Sequence, residues 1–364
     1  MADDLAPPTE AAWTLAVDRS DLTRTRRLTG AVPEPAAGEA VLRVERVGMT
    51  ANNVTYAVLG ESFRYWEFFP TERGWGVVPL WGFAEVVDSR VDGLGTGTRV
   101  YGYLPSASHL LVRPGRVGER GFRDTSEHRA TLPSPYNAYA ATTGDPAYEP
   151  GREDLQVLFR PLFFTSFMLA DWLDDFDAMG ARRIVLSSAS SKTAYGTAFG
   201  LRRLDREVVG LTSPRNAVFT KGLGCYDAVV PYDALDGLSP EVPTLYADLA
   251  GDPALTARVR EQLGTALVHE VVVGVTHQEA ATAGTLADTG PAMFFAPDQM
   301  GKRIGDWGRE GLDRRFADAW SAFAPTAERW VDVVVSHGPD ELERVWQDVL
   351  AGHADPRAGH VITY

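Results

Sequence analysis

The sequence predicts an α/β protein in two parts, a β-type head followed by a doubly wound parallel sheet, with a short tail that returns to the head. Three observations carry this. Apolar and polar residues alternate with period two in the first third, strand and helix signatures alternate from about Leu155, and a strand-like run, Gly359-His360-Val361-Ile362-Thr363-Tyr364, comes last. With 364 residues, 45% of them hydrophobic, the chain is long enough for two domains with separate cores.

In the head, Glu39–Val47 alternates as a half-buried strand should, and shorter strands follow at Gly82–Val87 and Thr98–Tyr103, with the Gly-rich turn Val91–Gly97 between them. From Leu162 to Phe176 the chain is a long apolar segment carrying Trp172. Ala181–Ser187 then reads as a strand, followed by a turn of small residues and by Thr193–Leu204 at helical spacing. Val208–Thr212, a helix-compatible stretch to Leu223, Ala228–Pro231, Leu245–Leu249, a helix from Pro253 to Leu263 and His269–Gly274 continue the alternation, which indicates a parallel sheet. Asp340–Leu350 has Leu342, Val345, Trp346, Val349 and Leu350 on one face, with Gly338-Pro339-Asp340 as its predicted start. The expected domains are 1–150 with 330–364, and 151–329.

Thirty-five Lys and Arg against 49 Asp and Glu leave a net charge of −14, which repels nucleic acid and anionic lipid. One cysteine, Cys225, allows neither an internal disulfide nor a multi-cysteine metal site. No window approaches the roughly 20 apolar residues of a membrane helix. Met1–Glu10 is acidic rather than signal-like, so a soluble cytoplasmic protein is expected. Only three residues are lysine: Lys192, Lys221 and Lys302.

The layout resembles the medium-chain dehydrogenase/reductase superfamily, in which a GroES-like β domain joins a Rossmann domain. The landmarks are Pro35–Val47 leading into Gly48–Tyr56, Pro79–Val87, and Gly97–Gly102. Arg160-Pro161-Leu162, Ser188–Ala194 and Phe294–Asp298 resemble a branch known only as a domain of unknown function. At the family's catalytic thiolate position stands Ala51-Asn52, and at its histidine position Phe83. The resemblance therefore implies the zinc-free quinone and enoyl reductase members, with no metal, and it implies a homodimer.

The turn after strand Ile184–Leu186 is where a Rossmann fold grips pyrophosphate, and glycines usually let the backbone approach. Here Ser190, Ser191 and Thr193 take those positions, and no glycine follows until Gly196. Hydroxyls and helix N-terminal amides both donate to anions. Lys192 in the first turn opposes the helix dipole by about 0.3–1 kcal/mol unless an anion docks there. It equally fits a solvated side chain on a Ser-capped helix. After the second strand, Thr212-Ser213-Pro214-Arg215-Asn216 carries no acidic residue for a ribose 2′-hydroxyl, while Ser213 and Arg215 suit a 2′-phosphate, which favours NADP(H) over NAD. An incidental surface arginine is the other reading. By resemblance Tyr232 packs near the nucleotide, Gly274 and Thr276 lie beside the nicotinamide, and Thr165 borders the cleft; Thr165 otherwise caps a following helix. His277 reads as a proton donor or a solvated loop residue.

Without a metal, a reduced carbonyl or alkene needs hydrogen-bond donors and a proton. In zinc-free relatives these come from the segment that here reads Asn52-Asn53-Val54-Thr55-Tyr56, so Asn53 and Tyr56 are the catalytic candidates, with core packing as the alternative for Tyr56. Trp66, Trp81 and Phe83 lie in a dense aromatic stretch that lines a pocket for a hydrophobic substrate or fills a core. Phe295, with Lys302 and Arg303 after it, is the candidate from the other domain. The expected activity is NADPH-dependent hydride transfer to a hydrophobic carbonyl, quinone or enone. The alternative is a non-redox tailoring enzyme or a ligand-binding pseudoenzyme.

Overall fold

The computed structural model describes residues 11–273, 292–352 and 355–364. The chain divides into two compact units, Met1–Leu158 with Asp332–Tyr364, and Phe159–Val331.

In the first unit the strand Ala40–Met49 organises a nine-stranded sheet. It pairs antiparallel with Pro79–Ser89 along one edge. Along the other it pairs with His109–Val112 near its start and with the terminal strand Ala358–Thr363 near its end. The alternation that marks this strand in the sequence sends Ala40, Leu42 and Val44 into a core shared with Leu80, Val86, Val100 and Ile362, and a register shift between Val44 and Arg46 brings Val47 to the same core. The helix Gly338–Leu350 adds Leu342, Val345, Trp346 and Val349 to the same core. Burying such a side chain contributes about 1.5–3 kcal/mol. Its N-cap is His337 with no side-chain bond, so Asp340 is not the cap but lies in the first turn, ion-paired with Arg27. The all-β reading of the head also misses the helix Ala51–Val58, which buries Asn53, Tyr56 and Ala57 at i, i+3 and i+4.

In the second unit six parallel strands run in the spatial order Ala228–Pro231, Glu207–Thr212, Arg183–Leu186, Thr244–Asp248, Leu267–Val273, Ala292–Phe294. This is the Rossmann order 3-2-1-4-5-6, and its direction reverses between Arg183–Leu186 and Thr244–Asp248, where such sheets bind ligands beyond the carboxyl ends of the strands. The apolar stretch ending at Phe176 belongs to a helix that starts earlier, at Glu153, and runs through Pro161 to Asp175. Thr165 consequently caps nothing. It sits inside that helix, its hydroxyl 3.4 Å from the carbonyl of Pro161. The helix Ala296–Trp330 is broken at Gly308, whose φ is 72°. On it Lys302 is ion-paired with Asp175, and Arg303 with Asp171 and Asp175. Among the described residues no helix is long and apolar enough to cross a membrane, and no cluster of His, Cys, Asp or Glu is arranged to hold a metal.

Candidate functional site

Strand Arg183–Leu186 delivers Ser187–Ser191 to the carboxyl edge of the sheet, and partners from other segments fix Ser187, Ser188, Ala189 and Ser190. The buried Ser187 hydroxyl donates to Asp248 Oδ1 at 2.8 Å and accepts from the amides of Leu249 and Ala250 at 2.8 and 2.9 Å. The Asp248 carboxylate also accepts from the Ala250 and Gly251 amides and from the Tyr246 and Thr256 hydroxyls. Ser188 takes φ 53°, a left-handed conformation costing roughly 1–2 kcal/mol for a residue with a side chain. Its amide donates to the Tyr232 hydroxyl at 3.0 Å. Ala189 lies so close to Gly210 that a Cβ on Gly210 would sit 2.8 Å from the Ala189 methyl. The close approach that glycines in the turn usually permit is thus supplied by a glycine on the neighbouring strand. Ser190 Oγ accepts from Asn216 Nδ2 at 3.0 Å, and Ser191 caps the helix Lys192–Leu201 by accepting from the Ala194 amide at 3.3 Å.

Two positive charges stand at this edge without a counter-charge among the described residues. The half-buried Lys192 ammonium lies 5.6 Å from the centre of the Phe159 ring, and among the described residues it has no ion-pair or hydrogen-bond partner. Burial lowers its pKa from 10.5 to about 8. Arg215 is exposed in the turn after Glu207–Thr212 and likewise has no carboxylate partner among the described residues. The amides of Lys192 and Thr193, in the first helical turn, have no acceptor among the described residues. The Thr212 hydroxyl, 1% exposed as a residue, also has no partner among the described residues. Ser213 is half-buried and starts a short turn of 3-10 helix over Pro214–Asn216. Gly274, Thr276 and His277 lie outside the described residues.

The helix that opens this edge is seated by a second close contact. A Cβ on Gly196 would lie 2.7 Å from Ser166 Oγ and 3.1 Å from Ser166 Cβ, and that hydroxyl is already committed to the carbonyls of Thr193 and Leu162. Gly196→Ala is expected to cost about 1–3 kcal/mol through this overlap, offset by up to about 1 kcal/mol of helix propensity. A urea midpoint equal to or above that of the parent would contradict this packing.

In the first unit, Asn53 uses both ends of its amide on the backbone. Oδ1 accepts from the Thr50 amide at 2.7 Å, closing a capping box, and Nδ2 donates to the Pro79 carbonyl at 2.9 Å. Tyr56 is buried in a cluster with Phe68, Phe69, Val77, Tyr103 and Leu132, against Tyr65, Trp81 and Tyr136. Its hydroxyl accepts from Trp81 Nε1 at 3.1 Å. An indole N–H only donates, so the Tyr56 proton is directed elsewhere. Burial, with Tyr65 beside it, pushes the Tyr56 pKa well above its ordinary value. Trp66 is buried in the main β core, and its indole closely approaches Gly60 and Gly76. Phe83 is fully buried, edge-on to Tyr101 and Tyr148. Phe295, in the second unit, is 40% exposed at the start of the helix Ala296–Trp330. Sequence reasoning missed Ser187, Asp248, Asn216 and Gly210. A carboxylate at a strand end three residues before a glycine was the one available signal.

Solved structures share this architecture at low identity. CurA from Vibrio vulnificus in complex with NADPH is 14% identical, with a TM-score of 0.61 over 96% of this chain and 98% of its own. The quinone oxidoreductase from Coxiella burnetii is 14% identical, with a TM-score of 0.55 over 98% and 100%. The yhdH oxidoreductase from Salmonella enterica in complex with NADP is 15% identical, with a TM-score of 0.54 over 97% and 99%. No curated protein sequence matches significantly. The fold is that of the medium-chain dehydrogenases/reductases, a GroES-like β domain with a Rossmann domain. The family model described as "Protein of unknown function (DUF2855)" matches residues 47–355, and the chain belongs to that family.

Proposed function

We propose that the chain is a zinc-independent, NADPH-dependent oxidoreductase acting on a hydrophobic carbonyl, quinone or enone. The observation that carries this reading is the pair of cations, Lys192 and Arg215, at the carboxyl edge of a parallel sheet, uncompensated among the described residues, beside two helix-N-terminal amides that likewise have no acceptor among them. Such an edge suits a diphosphate, and Arg215 suits a further phosphate on the ribose. The CurA and yhdH structures of the same fold hold NADPH and NADP.

Bound there, NADPH supplies the hydride. Tyr56 gives the proton to the acceptor oxygen: burial keeps it protonated, and the Trp81 indole stabilises the phenolate left behind. Asn53 keeps the helix that carries Tyr56 fixed to Pro79. Thr165, Ser190, Ser191, Thr193, Ser213 and Tyr232 shape the nucleotide side, Ser190 and Ser191 by holding the turn and Tyr232 by securing the Ser188 amide. The aromatic side chains assigned to the substrate are Trp66, Trp81 and Phe83 in the first unit and Phe295 in the second. A homodimer is part of the same proposal.

The test is a titration followed by tryptophan fluorescence. Arg215→Ala is expected to weaken NADPH by about tenfold or more, the value of a charge-assisted phosphate contact, and to leave NADH unchanged. An equal effect on both nucleotides would remove the 2′-phosphate assignment, and no response of the parent to millimolar NADPH would remove the cofactor. One observation favours a second reading, a non-redox tailoring enzyme or a ligand-binding pseudoenzyme. The turn has no glycine, and Tyr232 and Asn216 already engage Ser188 and Ser190. NADPH oxidation with a soluble quinone separates the two.

A further inference from the structure

We propose that the first unit carries a second small-molecule site, a cavity of about 340 Å³ that takes an apolar ligand ending in a carboxylate. Phe68, Phe69 and Leu110 supply its apolar wall, and His109, His128 and Arg129 its polar one. None of the lining residues is acidic and three are basic, in a chain with 49 acidic residues against 35 Lys and Arg. Arg129 is 1% exposed. Its Nε lies 3.2 Å from Asp124 Oδ2, Nη1 donates to the Tyr139 hydroxyl at 3.3 Å, and the guanidinium stands 4.9 Å from the centre of the Phe69 ring. Its Nη2 has no acceptor among the described residues. A buried donor left unpaired costs about 1–3 kcal/mol, and an incoming carboxylate offsets that cost. Asp124 supplies a counter-charge at Nε but no hydrogen bond to Nη2: its Oδ1 accepts from the Arg113 and Ser126 amides and the Ser126 hydroxyl, and its Oδ2 has no hydrogen-bond partner among the described residues. The imidazoles are held at the cavity by polar contacts, His109 Nδ1 with Ser108 Oγ at 2.9 Å and His128 Nε2 with the Phe68 carbonyl at 3.3 Å. The volume lies at the small end of ligand pockets, about 300–1,000 Å³, and admits one aromatic ring with a short acid arm.

The full chain, without nucleotide, is titrated with phenylacetate, neutral 2-phenylethanol and cationic phenethylamine by ligand-observed NMR. Phenylacetate is expected to bind saturably and about tenfold more tightly than 2-phenylethanol, with phenethylamine weakest. Leu111→Glu places a negative charge on a rim residue that is 37% exposed, outside the core. It should weaken phenylacetate about fivefold and 2-phenylethanol little, while His128→Gln weakens phenylacetate alone. Equal binding of the three compounds, indifference to both substitutions, or no saturation by about 10 mM overturns the site. Since nucleotide takes no part, these outcomes leave the cofactor proposal to its own test.

Discussion

Lys192→Met weakens NADPH binding about ten- to a hundredfold, the largest effect expected from one substitution at the proposed cofactor edge. A charge-assisted bond is worth about 1.5–3 kcal/mol, and about 1.4 kcal/mol is a factor of ten. The pH dependence separates this charge from generic packing. In the free protein burial lowers the Lys192 pKa to about 8, below the ordinary 10.5. Affinity is therefore flat below about pH 8 and falls above it, as the ammonium that attracts phosphate is lost. Folding stability runs the other way. Below pH 8 lysine is charged in both states and the burial penalty is complete. Between about 8 and 10.5 only the unfolded chain keeps its proton, so stability rises with pH over that window. Lys192→Met should lose both slopes. Fluorescence titrations at pH 7 and 9.5, with urea midpoints at the same values, check it; parent-like slopes in the variant would show that the ammonium meets no phosphate.

Arg129→Met is expected to cost about 3–5 kcal/mol of folding stability, the largest single loss in the first unit. It strands the Asp124 carboxylate, 3% exposed as a residue, without its cation. It also removes the guanidinium from over Phe68 and Phe69. Asp124→Asn in the same chain should restore a substantial part, because the stranded charge disappears while the Arg113 and Ser126 amides keep an acceptor. A loss under about 1 kcal/mol for the single variant, or no recovery in the double, would show that the pair contributes little.

Ala40–Met49, Pro79–Ser89, Arg99–Pro105, Ala358–Thr363 and the parallel strands from Arg183–Leu186 to Leu267–Val273 were legible in the sequence because each is a short apolar run with turn residues beside it, whereas Ala12–Asp18, the polar Asp21–Gly30 and Asp332–His337 were not read. The helix Pro253–Leu263 was legible because Asp252 caps it and proline opens it. Ala51–Val58 escaped because eight residues give too short a periodic signal, and the start of Glu153–Asp175 escaped because Pro161 reads as a boundary. At the turn, residue types were readable and partners were not. Ser190 and Lys192 stood out as donors. That Ser190 is held by Asn216, and that Gly210 makes room for Ala189, depends on strands brought side by side only by folding. The same holds for Arg129, which in the sequence is one arginine among many.

The pairing of Ala358–Thr363 with Ala40–Met49 also sets a timetable for synthesis. The earlier strand leaves the ribosome long before its neighbour exists. At roughly 5–20 residues per second the delay lasts tens of seconds, during which Phe159–Val331 is synthesised. A chain interrupted before Ala358 therefore injures the part of the protein that was translated first, leaving the flank of Arg46–Met49 open to chaperones or to the same flank of another nascent chain.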